Sequence, residues 1–580
     1  MSAGLKLTGR SLAPGAAQGP LLFAQEGLSF WGGVDAATGE VADRHHPLRG
    51  QSLTGRVLAI PSGRGSCSGS GVLLELILNG RAPAAIVVCD AEEILTLGAW
   101  VGEELFGRAL PVLRISREDF AHLPAFAFAS VEGESLQVFE ADPGARDLPP
   151  LQEPGRTPRT CRLEPRDQEM LEGRHGEATR MAMRLVLRMA ALQGAERLID
   201  VSQAHIDGCI YTGPATLRFA ERLVDAGARV AVPTTLNAIS VDRVRWRGQG
   251  VDPGFGQPAA ALADAYVAMG ARPTFTCAPY LLASAPAFGE QISWAESNAV
   301  VYANSVIGAR TMKYPDFLDI CIALTGRAPL AGCHLDEGRR ATLAIDVARP
   351  EGADESFWPL LGHVCGALAG SDIPLLRGLE HAAPEPDDFK AFGAAFATTS
   401  AAPLFHIAGV TPEAASQAPS RSGAVGADDL LRAWLDLNTG DAARIGLVAL
   451  GNPHFSLEEW RRLAGLLRGS RRGPDVELIV TSGPDVHAAA VSAGYVGVVE
   501  AFGGRCVTDA CWCMLEEPIV PVAARTLMTN SAKYAHYAPG LVGRGVRFGS
   551  LAACADAARD GRTEAAAPSW LSKSSPVDMA

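Results

Sequence analysis

The chain has 580 residues, of which 48% are hydrophobic and 20% charged, and its formal net charge is −13 at pH 7. This length predicts several compact units, and this composition is typical of a folded globular protein. The acidic balance argues against a nucleic-acid partner, no apolar run is long enough to span a membrane, and no signal segment precedes the first domain, so a cytoplasmic location is predicted.

A loop rich in glycine and serine, residues 63–71, stands between two apolar runs. Arg56–Ile60 predicts a buried strand, and the run from Val72 predicts the start of a helix. Such a loop presents free N–H groups that bind phosphate or carboxylate, or hold a serine oxyanion. Its spacing is neither that of a Walker loop nor that of a dinucleotide-binding loop. Taken alone, an ordinary strand-to-helix turn is the better interpretation.

A proline-rich stretch divides the chain. Residues 146–163 predict a linker between a small domain, 1–145, and a larger portion, 164–562, and the Ala/Ser/Pro-rich tail at 563–580 predicts disorder.

Strands and helices alternate beyond the linker, which predicts an α/β fold with parallel sheets covered by helices. The predicted elements are a long amphipathic helix from Glu164 towards Gln193, a strand at 197–201, a helix at 215–226, and strands at 228–232, 445–450, 476–480 and 495–499.

Polar clusters follow several of these strands, where ligand sites of α/β proteins collect. Two of them contain cysteines, at 273–280 and 507–513. Turn chemistry explains any single cluster, but their joint occurrence favours a metal or cluster site. The chain has twelve cysteines and no Cys-x-x-Cys pair, so such a site has to be assembled from distant segments.

The ordered motifs resemble those of the aconitase X family of the aconitase superfamily, in a form with both parts fused into one chain. They are Ala204–Gly208, Val232–Asn237, Thr276–Tyr280, Gly289–Ala299, Ala303–Thr311, His334–Glu337, Pro453–His454 and Thr529–Lys533. The resemblance implies an aconitase-like α/β fold, with a small swivel β/α domain at 1–145 and a multi-unit α/β catalytic portion at 164–562. It also changes the interpretation of residues 63–71 from a turn to an active-site loop.

The resemblance further implies a hydro-lyase with an iron–sulfur cluster, and Cys277 and Cys511 fall on the family's ligand positions. A third family cysteine corresponds here to Asn452. This departure resembles the branch that dehydrates cis-3-hydroxy-L-proline to a pyrroline-2-carboxylate, and it implies a smaller, 2Fe–2S cluster. Cys333 is the first candidate for a further ligand and Cys513 the second, although a buried thiol without a ligand role is the better interpretation of Cys513.

This chemistry requires a base for the α-proton and a Lewis acid for the hydroxyl that leaves. Ser70 is predicted to be the base, with Ser66 as the alternative, and helix N–H groups and Arg64 would stabilise the alkoxide. Lys533 and Arg310 are predicted to hold the substrate carboxylate, although a structural ion pair explains Arg310 equally well. The other predicted substrate-binding residues are His205, Thr234, Asn237, Ser297 and Asn298.

Three alternatives remain at this stage. The same fold acts on mevalonate 5-phosphate in a two-subunit branch of the family, and Asn452 and the fused chain count against that substrate. Pocket shape could also select another small hydroxy acid. A cluster-sensing regulator that binds RNA is a third possibility, which the acidic charge disfavours.

Overall fold

The computed structural model describes residues 4–43, 46–64, 66–144, 161–440, 443–563 and 566–572. The predicted linker at 146–163 therefore lies outside the described residues, apart from its last three. The chain forms two compact units. The first unit comprises Met1–Thr234, Asp264–Ala271 and Tyr314–Ala331, and the second unit comprises Thr235–Ala263, Arg272–Lys313 and Gly332–Ala580.

An eight-stranded sheet forms the N-terminal part of the first unit, with strands in the order β1-β8-β7-β3-β4-β5-β6-β2. Its elements are β1 Leu5–Thr8, β2 Arg10–Ala13, β3 Ala16–Phe23, β4 Val57–Ala59, α1 Gly69–Leu78, β5 Ala85–Val88, α2 Ile94–Phe106, β6 Val112–Arg114, α3 Arg117–His122, β7 Phe128–Glu132 and β8 Ser135–Phe139. Strands β3 to β6 are parallel, and every residue of β4 and β5 is buried, as expected for central parallel strands. The strand predicted at 56–60 is confirmed.

Helix α1 begins at Gly69, three residues before the predicted start at Val72. Because Gly69, Ser70 and Gly71 carry no apolar side chains, the hydrophobic periodicity begins only after the helix has started. Ser70 consequently lies in the first turn of a helix and not in the preceding loop.

The segment 161–331 contains short strands and longer helices. Its elements are α4 Pro165–Leu171, α5 Glu177–Gln193, β9 Leu198–Asp200, β10 Ala204–Ile206, α6 Pro214–Asp225, β11 Thr234–Leu236, α7 Pro253–Ala268, β12 Ser293–Trp294, α8 Ser297–Tyr302, α9 Leu318–Thr325 and β13 Arg327–Pro329.

Two elements expected in this segment are wrong, and a third is present but does not pair in a parallel sheet. The single helix from 164 to 193 is broken at Gly173 and Gly176, whose φ angles of 80° and 95° are not helical. The strand predicted at 197–201 is present as β9, but it pairs antiparallel with β13. The residues 228–232 form no strand, and the strand follows them as β11.

Two parallel sheets dominate the second unit, which confirms the predicted parallel sheets. One has the order β16-β15-β14-β17 and the other the order β20-β19-β18-β21-β22. The elements of the first are β14 Leu343–Val347, α10 Phe357–Ala369, β15 Pro374–Arg377, α11 Pro386–Thr399, β16 His406–Ile407, β17 Arg421–Val425 and α12 Ala427–Leu437. Those of the second are β18 Leu447–Leu450, α13 Leu457–Leu467, β19 Glu477–Ser482, α14 Pro484–Ser492, α15 Tyr495–Phe502, β20 Arg505–Thr508, β21 Thr526–Thr529, α16 Ala532–Leu541, β22 Gly545–Phe548, α17 Leu551–Asp560 and α18 Ser569–Ser572.

The strand predicted at 495–499 is wrong, because these residues begin helix α15. Its buried residues Val496, Val499 and Phe502 recur every three positions and so lie on one helical face. The tail is also not disordered throughout, since Trp570 and Leu571 of α18 are buried in the core of the second unit. Within the described part of the chain, no helix combines the length and apolarity that crossing a membrane requires.

Candidate functional site

Three cysteines from two distant segments meet in the second unit and form what we call the thiol cluster: Cys277, Cys511 and Cys513. Cys277 lies between α7 and β12, and the other two follow β20. The Cys511 thiol is hydrogen-bonded to the sulfurs of both Cys277 and Cys513, and the bond to Cys277 raises the pKa of Cys511. Cys277 and Cys511 are buried and packed against Ala238, and the half-buried Cys513 packs against them. The fold thus brings the predicted ligands Cys277 and Cys511 together.

The loop 451–454 lines the thiol cluster with hydrogen-bond donors. Asn452 Nδ2 lies 3.3 Å from Cys511 Sγ and 3.2 Å from Cys513 Sγ, and the backbone N–H of His454 donates to Cys277 Sγ at 3.3 Å. Asn452 Oδ1 is buried and has no hydrogen-bond partner among the described residues. Donors directed at sulfur favour the ionised thiolate, which is the form that binds metals.

A buried cation lies beside the same sulfurs. Lys533 Nζ is 3.0 Å from Glu296 Oε1, and the Lys533 side chain is 11% exposed. Burial lowers the pKa of Lys533, but the Glu296 carboxylate and the neighbouring thiols outweigh it and leave that pKa well above its usual value. Glu296 also accepts from the Ala299 N–H at 2.7 Å, capping helix α8. Lys533 is therefore a fixed positive charge next to the thiol cluster.

Asn298 joins this network to the cysteine segment. Its Nδ2 donates to the carbonyl oxygen of Cys277 at 2.8 Å and also to Glu296, while Tyr280 donates its hydroxyl to Asn298 Oδ1 at 2.7 Å. Asn298 thus links the backbone of Cys277 to the side chains of Glu296 and Tyr280.

The donor set suits an iron–sulfur cluster, because thiolates are the protein ligands such clusters prefer. Among the described residues, no group of three or more His, Cys, Asp and Glu side chains is arranged around a common metal position. The Cys511 sulfur instead hydrogen-bonds to the sulfurs of Cys277 and Cys513. The unpartnered Asn452 Oδ1 marks a polar position at the same place.

Cys333, the first candidate for the further ligand, lies elsewhere. Its Sγ faces the carbonyl oxygen of Gly338 at 3.5 Å, and its N–H donates to Met312 Sδ at 3.0 Å. Burial raises the pKa of Cys333 to about 12, as for a packed thiol. The structure thus places the second candidate, Cys513, and not Cys333, with Cys277 and Cys511. The Cys-x-Cys spacing at 511–513 was the available signal.

The serine loop, residues 63–71, lies in the first unit. Ser70 is fully buried, and its Oγ donates to the carbonyl oxygens of Cys67 at 3.0 Å and of Asp316 at 3.2 Å. Ser66 is half-buried, and its Oγ donates to Ser68 Oγ at 3.3 Å. The Ser70 hydroxyl is thus held by two backbone carbonyls, whereas the Ser66 hydroxyl is directed at another hydroxyl.

The other predicted binding residues are mostly held by protein groups. Arg64 is paired with Asp43 at 3.0 Å, and Arg310 is paired with Asp336 and lies 3.8 Å from Glu413. The ion-pair interpretation of Arg310 therefore fits its contacts. The remaining predicted residues are the buried His205, Thr234 and Asn237 and the half-buried Ser297.

Glu92, which sequence reasoning missed, holds the start of the serine loop. Its carboxylate accepts from the N–H groups of Gly63 and Leu95, and burial raises its pKa from 4.5 to about 7. Because the folded state binds the proton more tightly, this group stabilises the fold fully below about pH 4.5, and the contribution is lost as pH rises through 7.

We expect the contribution of Glu92 to lower the unfolding free energy by up to about 3 kcal/mol between pH 5 and 8. Glu92→Gln should flatten that slope, measured by urea unfolding at each pH, whereas Glu118→Gln, at an exposed position of α3, should leave it unchanged. An unchanged slope in the Glu92 variant would contradict this assignment.

Comparison with known proteins matches successive parts of the chain to the domains of one family. Family models of aconitase X match the swivel domain at residues 6–138 and the first, second and third domains at 160–337, 341–434 and 445–560. A cis-3-hydroxy-L-proline dehydratase of Pseudomonas aeruginosa is 58% identical, over 97% of this chain and 98% of its own.

Two archaeal proteins match less of the chain. The large subunit of a phosphomevalonate dehydratase of Methanothermobacter thermautotrophicus is 38% identical, over 66% of this chain and 94% of its own. A crystal structure of aconitase X from Thermococcus kodakaraensis in its holo form superposes with a TM-score of 0.62 at 32% identity, covering 69% of this chain and 99% of that one.

Proposed function

This chain belongs to the aconitase X family, and from that membership we propose that it is a hydro-lyase that dehydrates cis-3-hydroxy-L-proline to a pyrroline-2-carboxylate. The observation that carries the substrate is the 58% identity, over nearly the whole of both chains, to a dehydratase named for it. Asn452, in place of the cysteine expected in the mevalonate 5-phosphate branch, supports the same choice.

The aconitase relationship indicates a metal or iron–sulfur cofactor, and we assign its ligands to Cys277, Cys511 and Cys513, in a cluster of the 2Fe–2S type. Their mutual contact and the donors from Asn452 and His454 support this assignment. When bound, a cluster held by three thiolates in place of the usual four supplies a Lewis acid for the hydroxyl that leaves.

Lys533 offsets negative charge beside these thiolates. An ammonium fixed by Glu296 in a dry environment stabilises neighbouring anions more strongly than it would in water. The same charge suits the substrate carboxylate, the role predicted from the sequence, and Lys533 retains that role in the proposal.

Ser66 is assigned the role of base for the α-proton. It is the half-buried hydroxyl of the serine loop, and its proton is already directed at another hydroxyl, that of Ser68. Loss of the α-proton and of the hydroxide gives an enamine, which tautomerises to the pyrroline imine without a further protein group.

The assignment is tested by a side-by-side assay of anaerobically purified enzyme. We expect turnover of cis-3-hydroxy-L-proline, followed by NMR, and no turnover of mevalonate 5-phosphate or of the trans-3 diastereomer. The diastereomer controls for non-specific elimination, because it presents the same groups in a different geometry. Preferential turnover of mevalonate 5-phosphate would overturn the proposal.

A further inference from the structure

A buried chain of hydrogen bonds leads from the serine loop into the first unit. Ser66 Oγ donates to Ser68 Oγ at 3.3 Å, the Ser68 hydroxyl is hydrogen-bonded to the Asp316 carboxyl group, and Asp316 is hydrogen-bonded to Asp207. Ser68, Asp316 and Asp207 are only 1%, 4% and 3% exposed. The chain therefore begins at a half-buried hydroxyl and ends at a carboxyl group shielded from solvent.

The hydrogen bonds from Ser66 to Asp207 all point in the same direction. Two carboxyl groups can hydrogen-bond to each other only if one of them is protonated, so Asp316 and Asp207 share a proton. Burial, and then the charges of Asp207 and Asp319, raise the pKa of Asp316 well above its usual range, which favours Asp316 as the donor of that bond. The Ser68 hydroxyl donates to Asp316 in turn. Each group thus donates to the next one away from Ser66, which is the order needed to move a proton inward.

Asp319 completes the surroundings of this acid pair. It accepts the N–H groups of Asp207 at 2.8 Å and of Gly208 at 3.0 Å, and burial raises its pKa to about 6. Two other titratable side chains, Tyr266 and Cys209, also interact electrostatically with Asp316. The Asp319 carboxylate is thus hydrogen-bonded to backbone N–H groups, whereas the carboxyl groups of Asp207 and Asp316 are hydrogen-bonded to each other.

The polypeptide around Asp316 has two features that cost folding free energy. The next residue, Phe317, has a φ of 80°, and Asp316 Oδ1 is buried without a hydrogen-bond partner among the described residues. Each feature costs about 1–3 kcal/mol. Asp316 is tied to the serine loop by its N–H, which donates to Cys67 O at 3.3 Å, and by its carbonyl, which accepts from Ser70. A carboxyl group with only a structural role would be expected to use both of its oxygens.

We propose that Ser68, Asp316 and Asp207 form a proton relay for Ser66, with Asp316 as its central positioning residue. This inference rests on the proposed function and on Ser66 as the base. As Ser66 takes the α-proton, its own O–H bond breaks and that proton passes to Ser68. The Ser68 proton passes to Asp316, and the Asp316 proton passes to Asp207.

The electrons and protons of the step balance. The electron pair of the α C–H bond becomes the new C=C bond while the C–O bond breaks and hydroxide leaves. The relay then runs back from Asp207 to Ser66, and the proton that Ser66 took from the substrate converts the hydroxide to water. The relay is thereby restored for the next turnover without any other reactant.

Asp316→Asn tests the relay, because the amide keeps the shape and the hydrogen-bonding capacity of the acid but cannot pass a proton on. We expect kcat to fall by about 100-fold or more with KM changed by less than about threefold, a loss typical of general acid–base groups. Iron content and circular dichroism should match the wild type. Asp225→Asn, at an exposed position of α6, is the matched control.

Ser68→Ala interrupts the same relay one step earlier, and it tests the relay if Asp316→Asn does not fold. Adding Asp207→Asn to Asp316→Asn should cost little more, because both act in one relay. A folded Asp316 or Ser68 variant that keeps kcat within about threefold of the wild type, or that raises only KM, would overturn the relay. Such a result leaves wild-type turnover and the Ser66 requirement intact, whereas an inactive wild type defeats the proposed function itself.

Discussion

Replacing Cys513 by alanine is expected to yield a folded protein that lacks the iron–sulfur absorption in the visible range, binds little iron and has lost turnover. The physical reason is that the Cys513 sulfur lies in the thiol cluster, in hydrogen-bond contact with Cys511 and with the amide of Asn452. Even residues in the outer shell of a metal site commonly account for 10- to 100-fold in affinity or activity, so removal of a ligand should cost more than about 100-fold.

Cys333→Ala is the control, since it removes another thiol of the second unit, one that is buried and lies apart from the cluster. It should keep its iron, its spectrum and its turnover, at a cost of about 1 kcal/mol in unfolding free energy. Iron and sulfide analysis of both variants after anaerobic purification measures the difference. Retention of a full iron complement by Cys513→Ala, with loss in Cys333→Ala, would restore the order predicted from the sequence.

Asn452→Ala distinguishes the coordination of iron by the cysteines from the hydrogen bonds that the Asn452 amide donates to their sulfurs. The Asn452 amide contacts both Cys511 and Cys513 without being a thiolate ligand, so the variant should still bind iron. Because hydrogen bonds to sulfur set the potential of such clusters, the expected change is a shifted reduction potential, measured by redox titration of the visible spectrum. An iron-free Asn452 variant would show instead that the amide is needed for assembly.

Motifs predicted the fold and the proximity of two cysteines better than periodicity predicted individual elements. The ordered matches from Ala204 to Lys533 identified the family, and Cys277 and Cys511 do meet in the structure. The apolar run at 495–499 was misassigned because a short apolar run fits a strand and a helix equally well. Only the glycines that flank it, Gly494 and Gly503, with φ angles of 78° and 106°, reveal the helix bounds.

Other parts of the site depend on long-range contacts that no local pattern contains. Which of Cys333 and Cys513 lies beside Cys277 could not be derived from sequence, because it depends on which segment the fold brings to Cys277. Asp316 and Asp207 are far apart in the chain and become neighbours only through the fold of the first unit. For Arg310 the sequence left a contact with the substrate carboxylate and a structural ion pair equally open, and only the fold shows its partners Asp336 and Glu413.

A substitution in the serine loop is expected to produce a second large loss of turnover. Ser66→Ala is expected to lower kcat by about 10²- to 10⁴-fold, the usual contribution of a general base, while KM and the cluster spectrum stay near those of the wild type. Ser70→Ala leaves the carbonyl oxygens of Cys67 and Asp316 without their donor. It should therefore cost about 1–3 kcal/mol of stability and far less turnover.

Steady-state kinetics and urea unfolding of the two variants separate these roles, because one removes a proton acceptor and the other a structural donor. The order predicted from the sequence favoured Ser70. The helix was expected to begin only at Val72, which would leave Ser70 in the loop. The start of α1 at Gly69 places Ser70 inside the helix, with its hydroxyl bound to the backbone, and leaves Ser66 at the half-buried end of the relay. A severe loss of kcat in Ser70→Ala, with normal kcat in Ser66→Ala, would return the base to Ser70 and remove the first member of that relay.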